Sequence, residues 1–187
     1  MMRIITGKAR GIKLVTLEGE NTRPTSERAK EAVFSMIQFD IEGREVLDLF
    51  AGSGQMGLEA VSRGAASATL VDRSKDAAKI ITQNIEKTRL GAQCRLFTAD
   101  VMDYIRTVSG RRKFDIVFID PPYSLRAVPP TLEALLKGEL LKPTSTVVCE
   151  SAEEDIFENA PDLAASFEII KRAKYGVAHI TILKPLI

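Results

Sequence analysis

Glu45-Val46-Leu47-Asp48-Leu49-Phe50-Ala51-Gly52-Ser53-Gly54-Gln55-Met56-Gly57 is the stretch on which the fold turns. Residues 45–50 read as a strand, and residues 51–57 as a glycine-rich turn leading into a helix over 56–63 that Gly64 stops. The glycines fit G-x-G-x-x-G between a strand and a helix, a pattern that first suggests a dinucleotide. Asp72 even stands about where a ribose-binding acid would. Asp48 argues against that ligand. A carboxylate just before the glycines suits a cationic amino group and is unwelcome near a pyrophosphate. Nothing downstream resembles a hydride-transfer site either.

Further along, Lys113-Phe114-Asp115-Ile116-Val117-Phe118-Ile119 is apolar and rich in β-branched residues, which reads as a buried strand. Asp120-Pro121-Pro122-Tyr123 ends it, because proline cannot donate to a strand ladder. Asp120 is thereby set at the carboxyl end of a strand, where open α/β sheets bind ligands. A carboxylate, a backbone stiffened by two prolines and an aromatic ring suit a planar base with an exocyclic amine. Asp-Pro is also an ordinary turn pair. Its pairing with the glycine turn upstream gives it weight.

From these two anchors the rest falls into order. Residues 2–6 and 12–16 read as short strands of a hairpin with a basic tip, Gly7-Lys8-Ala9-Arg10-Gly11. A polar loop over 17–23 precedes a helix capped by Thr25 or Ser26, with Ala29, Val33, Phe34 and Ile37 on its apolar face. Strands follow at 68–72, 93–97 and 145–150. Ser74 caps a helix over 75–88 with Ala78, Ile81 and Ile85 on one face, and a short helix spans 101–108. Pro129-Pro130 sits in a loop before a helix over 131–136. Residues 155–163 are weakly helical, and 167–173 with 177–183 form a last pair of strands. Strands alternating with helices, then a terminal hairpin, predict an α/β fold: a doubly wound, mostly parallel sheet covered on both faces, in one domain over 1–187 that includes a basic β-hairpin extension over 1–20.

Asp48, Asp72, Asp100 and Asp120 close four successive strands on one sheet edge, a repetition beyond ordinary turn chemistry, although Asp100 alone could serve as a helix cap. S-adenosylmethionine fits this row. Its ammonium suits Asp48, its ribose hydroxyls suit Asp72, and its adenine amine suits Asp100, while glycines let backbone come close. Tyr104, Phe97 and Met102 are expected in the core, and the single histidine, His179, in a structural role.

Composition narrows the class. The 187 residues carry a formal net charge of +1, and 45% are hydrophobic, as in a soluble globular domain. No apolar run has the length of a membrane span, and the start lacks a signal peptide's apolar core, so the reading predicts a cytoplasmic protein. Cys94 and Cys149 are far apart without neighbouring ligands, which predicts buried thiols and no metal site. Charge is unevenly spread. Residues 1–17 hold Arg3, Lys8, Arg10 and Lys13 with no acid, whereas 150–162 hold six acids and no base and read as a solvated face.

Asp48-Leu49-Phe50-Ala51-Gly52-Ser53-Gly54 followed by Asp120-Pro121-Pro122-Tyr123 resembles the class I amino-methyltransferases with a (D/N)PP(Y/F) motif. More narrowly, residues 2–11, Thr22-Arg23-Pro24-Thr25-Ser26 and Tyr175-Gly176 resemble the RsmD family of bacterial 16S rRNA (guanine-N2)-methyltransferases. Gln55-Met56 departs from the smaller residues common there. The resemblance implies a seven-stranded Rossmann-like methyltransferase sheet, S-adenosylmethionine as cofactor, and 16S rRNA or the small ribosomal subunit as partner. It implies catalysis by Asp120, Pro121, Pro122 and Tyr123, and cofactor contacts from Asp48, Phe50, Ala51, Gly52, Gly54, Asp72, Arg73, Asp100 and Val101. The basic residues Arg3, Lys8, Arg10, Lys13 and Arg23 are the expected RNA contacts. No metal, no membrane and nothing beyond a monomer are called for. The catalytic motif alone also admits an adenine amino-methyltransferase on DNA or other RNA, and the fold admits a non-catalytic RNA-binding assembly protein.

Overall fold

The computed structural model of the chain describes residues 2–17 and 24–187, with side chains from 27 onward in the second stretch. Thr22, Arg23 and residues 18–20 of the expected hairpin extension lie outside the described residues. Helix α1 (Pro24–Met36) is followed by β1 (Glu45–Leu49), α2 (Gln55–Ser62), β2 (Ser67–Asp72), α3 (Lys75–Thr88), β3 (Cys94–Thr98), α4 (Val101–Val108) and β4 (Phe114–Ile119). Then come α5 (Val128–Lys137), β5 (Leu141–Ser151), α6 (Pro161–Ala164), β6 (Phe167–Tyr175) and β7 (Ala178–Pro185). The seven strands make one sheet in the order β3-β2-β1-β4-β5-β7-β6. The first five run parallel, and β7 lies antiparallel between β5 and β6. This is the doubly wound, mostly parallel sheet that the alternation predicted.

The pleat sorts the strand residues between two cores. Val46, Leu70, Phe118, Val148 and Ile180 pack with Phe34 of α1, Leu58 of α2 and Ile81 of α3. Leu47, Leu49, Val117, Ile119 and Cys149 pack with Tyr104 and Ile105 of α4 and Leu132 and Leu135 of α5. All six residues of β4 are buried, as expected of a central parallel strand with helices on both faces. The thiols are free; Cys149 is buried as expected but Cys94 only partly, and desolvation pushes Cys94 up to about 12 and raises Cys149 as well.

Several local expectations are corrected. Helix α1 begins at Pro24, so Thr25 and Ser26 stand inside its first turn. Pro129 and Pro130 are not in a loop but in the first turn of α5, where an amide has no intrahelical partner to lose. Pro143 lies within β5, where the β4–β5 register shifts between Phe114 and Ile116. The buried face of α3 is Ala77, Ile81, Asn84 and Thr88, one residue round from the expected stripe, because two polar side chains are buried on it. The predicted helix over 155–163 shrinks to the four residues of α6.

The arm over residues 2–17 is hairpin-like, but a single bridge, Arg3 with Lys13, replaces the two expected strands. Backbone bonds Ile4–Ile12, Gly11–Ile4 and Leu14–Met2 tie its two halves together, and helices hold other amides. Glu59 of α2 accepts from the Ile5 and Thr6 amides at 2.8 and 3.0 Å, the Ser62 carbonyl accepts from the Lys8 amide at 2.8 Å, and Asn84 of α3 accepts from the Val15 amide at 2.8 Å. The tip therefore rests on the C-terminal end of α2.

Candidate active site

A cleft of about 1120 Å³ opens at the carboxyl edge of the sheet, where β1 and β4 are neighbours. The chain leaves β1 for α2 on one face and β4 for α5 on the other, which makes this the switch point at which doubly wound sheets bind ligands. All thirteen catalytic and cofactor-contact candidates except Gly54 line it.

Asp48 is not at the open strand end but inside β1, beneath the first turn of α2, and only 2% exposed. Its Oδ2 accepts from the Gly57 amide at 2.8 Å. Burial is the main cause that pushes its carboxyl up to about 7, opposed by the Gly57 hydrogen bond and reinforced by the charge of Asp72. The third glycine makes this approach possible. A Cβ on Gly57 would sit 3.2 Å from Asp48 Oδ2 and from the Leu70 side chain. Gly54 caps α2 at φ +77°, a left-handed conformation glycine adopts freely. Phe50 adopts φ +61°, rare for a bulky residue, at the point where β1 bends into the glycine turn.

Asp72 is committed on both oxygens. Oδ2 accepts from the Gly52 amide at 2.9 Å, and Oδ1 from the Ser74 amide at 2.8 Å. It ties the glycine turn to the end of β2 and keeps a second lone pair on each oxygen for a ligand. Asp100 is an N-cap, accepting from the Met102 amide at 2.8 Å, so the capping alternative describes its contact in this structure. It still lines the cleft, as do Arg73 and Val101. Tyr104 is core as expected, but Met102 lines the cleft and Phe97 is 41% exposed.

Asp120 stands one residue beyond β4. Pro121 is buried, and Tyr123 lies in the short turn 123–125. The Tyr123 hydroxyl donates to Glu150 Oε1 at 2.8 Å. Glu150, read from sequence as part of a solvated acidic face, instead stands one residue before the end of β5 and lines the cleft. Burial raises its carboxyl and the Tyr123 hydrogen bond opposes that. The rule that selected the four aspartates, an acid at a strand's carboxyl end, would have selected it too. Elsewhere in the acidic segment, Asp155 pairs with Arg172 at 3.0 Å and Glu153 with Arg126 at 3.6 Å.

Arg3, Lys8, Arg10 and Lys13 are exposed. The basic tip is not at the cleft rim. It lies at the far end of α2, roughly 12 Å along the helix axis from the glycine turn at 1.5 Å per residue. The two ends of the arm do reach the cleft, as Met2 and Leu17. The Ser53 hydroxyl donates to Met2 Sδ at 3.0 Å, and Asn84 Nδ2 donates to both the Ser53 and Val15 carbonyls at 2.9 Å. Neither Met2 nor Leu17 carried a sequence signal.

The charges at the cleft are nearly all of one sign. Asp48, Asp72, Asp100, Asp120 and Glu150 face one cleft, with Arg73 as the single cation among its described residues. Such a surface attracts a cation and repels a pyrophosphate. The residues therefore fit S-adenosylmethionine: a buried acid with one oxygen fixed by the Gly57 amide suits a positive partner, and Gly54 and Gly57 let the first turn of α2 pack closely on Leu70 and Asp48.

The family described as Conserved hypothetical protein 95 matches residues 2–184. The chain is 32% identical to ribosomal RNA small subunit methyltransferase D of Haemophilus influenzae, over 82% of this chain and 80% of that protein. It is 31% identical to the protein of the same name from Escherichia coli, over 86% of this chain and 79% of the other. A solved structure from Escherichia coli superposes with a TM-score of 0.85 at 30% identity, covering 98% of this chain and 97% of that one.

Proposed function

The chain belongs to the Conserved hypothetical protein 95 family, the RsmD family, and on that premise we propose that it transfers a methyl group from S-adenosylmethionine to the exocyclic N2 amine of a guanine in 16S rRNA of the small ribosomal subunit. The observation that carries this reading is one continuous cleft, with the glycine turn and Asp72 at one end and Asp120 and Tyr123 at the other.

When bound, S-adenosylmethionine supplies a methyl group made electrophilic by its sulfonium. Asp48 pairs with its ammonium, directly or through water. Asp72 takes ribose hydroxyls with its remaining lone pairs, and Asp100-Val101 meets the adenine. A guanine amine is a poor nucleophile because its lone pair is conjugated into the ring. Asp120 accepts one of its hydrogen bonds and the Pro121 carbonyl a second, which turns the nitrogen lone pair toward the methyl, while Tyr123 stacks on the base. Transfer would form the N2–methyl bond as the sulfonium–methyl bond breaks, releasing a neutral thioether, and the cationic methylated amine is acidic enough to give its proton to the Asp120 carboxylate or to water, so no strong base is required. Positioning of this kind can be worth roughly 7–11 kcal/mol.

The base must leave its stack to enter. Five carboxylates keep phosphates out of the cleft, so the base enters while the backbone stays on the surface. There Arg3, Lys8, Arg10 and Lys13 would hold phosphates. Replacing Lys8 and Arg10 together by Ala should weaken RNA binding and lower the slope of log affinity against log salt by roughly 1.5. A slope unchanged from the wild type removes the tip from the interface.

Asp48 makes cofactor binding pH-dependent. Its folded value, about 7, lies above the ordinary carboxylate range. Below pH 7 it holds a proton that must leave before it can pair with an ammonium. Affinity for S-adenosylmethionine should therefore rise with pH up to about 7 and then level. The same shift destabilises the unliganded protein as pH rises between the unfolded and folded values, since the fold binds the proton more tightly. Calorimetric titration from pH 5.5 to 8.5 checks this, and Asp48→Asn should flatten the curve. A wild-type affinity independent of pH contradicts the Asp48 assignment.

The function itself is tested by transfer of a labelled methyl group to small subunits lacking the modification, naked 16S rRNA, tRNA and DNA, followed by nucleoside analysis. Label in N2-methylguanosine of 16S rRNA is expected. Label in methyladenine would retain the site chemistry and overturn the substrate.

A further inference from the structure

We propose that Glu150 reads the ring edge of the target base and selects guanine over adenine, an inference that rests on the guanine-N2 reading above. Strands β4 and β5 pair in parallel with Ile119 opposite Cys149. Asp120 and Glu150 are the next residues on these two neighbouring strands, so they stand side by side at the carboxyl edge, about 4.8 Å apart in backbone. Glu150 pairs with Ile180 across to β7 and lies one position beyond Val148 on the same pleat face, which is the face that α1 and α2 cover. Asp120, Tyr123 and Glu150 all line the one cleft.

The Tyr123 hydroxyl occupies Glu150 Oε1 and so holds the carboxylate in one orientation, with Oε2 left for a ligand. Guanine presents two adjacent donors on its pairing edge, the N2 amine and N1–H. With the amine on Asp120, the next atom round the ring is N1–H, and a second carboxylate beside the first is the acceptor it needs. Adenine presents an amine beside a bare N1 lone pair. That lone pair against the Glu150 carboxylate is an acceptor facing an acceptor in a half-buried site. The two strand-end acids thus form a donor-reading pair.

The test compares two acceptors that both carry a 2-amino group. One has guanine at the position mapped by the labelling experiment. The other has 2-aminopurine there, which keeps the amine but lacks N1–H. Both are presented in whichever form, naked or assembled, takes label. Wild type should prefer guanine. Glu150→Gln keeps an oxygen for Tyr123 but can turn an amide donor toward N1. Its kcat/KM on guanine should fall about 10- to 100-fold, while that on 2-aminopurine rises, reversing the preference. Glu150→Asp, which keeps the charge, should lose rate and keep the preference. Affinity for S-adenosylmethionine and Tm should hold in both. An unchanged guanine-to-2-aminopurine ratio in Glu150→Gln, an equal loss on both acceptors, or a relaxed preference in Glu150→Asp overturns the proposal. Wild-type protein that forms no N2-methylguanosine on any acceptor overturns the underlying reading instead.

Discussion

Asp120→Ala should lower methyl transfer by about 10²- to 10⁴-fold and leave affinity for S-adenosylmethionine within about threefold. The two effects separate because the cleft has two ends. Asp48, Gly52 and Asp72 line the end proposed for the cofactor, and Asp120 stands at the other, one residue past β4. Replacing it should remove the proposed acceptor for the amine, without touching the Gly57, Gly52 and Ser74 amide bonds at the opposite end. Folding should survive, since Asp120 lies outside both buried cores. Single-turnover transfer with enzyme in excess reads the chemical step, and calorimetry reads the cofactor. Normal transfer would show that Asp120 does not hold the amine. A lost cofactor affinity would move it to the other end of the cleft.

Glu59→Ala should destabilise the fold by roughly 3–5 kcal/mol, the cost of breaking a buried ion pair by removing one partner. Glu59 is fully buried on α2. Its carboxylate accepts from the Ile5 and Thr6 amides, from Arg63 Nε at 2.7 Å, and pairs with Lys30 Nζ at 3.3 Å. Lys30 is itself buried, and its Nζ donates to the Arg3 carbonyl at 2.7 Å. Burial lowers the Lys30 ammonium, and Glu59 is the chief counterweight. Without that carboxylate, a buried cation loses its counter-charge and two arm amides lose their acceptor at once. At about 2–4 °C per kcal/mol for a chain of this size, Tm should fall by roughly 6–20 °C. The double variant Glu59→Leu with Lys30→Met removes both charges and should recover the part of the loss due to the uncompensated Lys30 cation, but not the part due to the Ile5 and Thr6 amides, which stay without this acceptor. A Tm within about 2 °C of wild type in Glu59→Ala would mean that the arm does not depend on this hub. Because the arm carries Met2 and Leu17 to the cleft, the single variant should also weaken cofactor binding.

The contrast between these two residues marks how far the chain can be read without its fold. Asp120 stood out because the double proline ends a strand of continuous apolar residues, and both features are local. Glu59 stood on a helix among ordinary residues. Its partners are Ile5, Thr6 and Lys30, brought to it by the docking of the arm and α1, and no periodicity records that. Asn84 is similar. A polar residue one position off the predicted stripe of α3 holds both Val15 and Ser53.

What the sequence by itself determined is the α/β architecture and the meeting of its two motifs at the switch point on the carboxyl edge of the sheet. Each follows from the period of apolar residues, from glycine's freedom and from proline's missing donor, all properties of neighbours along the chain. Only the tertiary structure decided that Asp48 is a buried floor rather than an open rim, that Asp72 spends a lone pair of each oxygen on backbone amides, and that the basic tip lies a helix length from the cleft. It also brought Glu150 beside Asp120. Burial and hydrogen-bond commitment depend on which distant segments pack together, and that is set by the closure of the sheet rather than by any stretch of sequence.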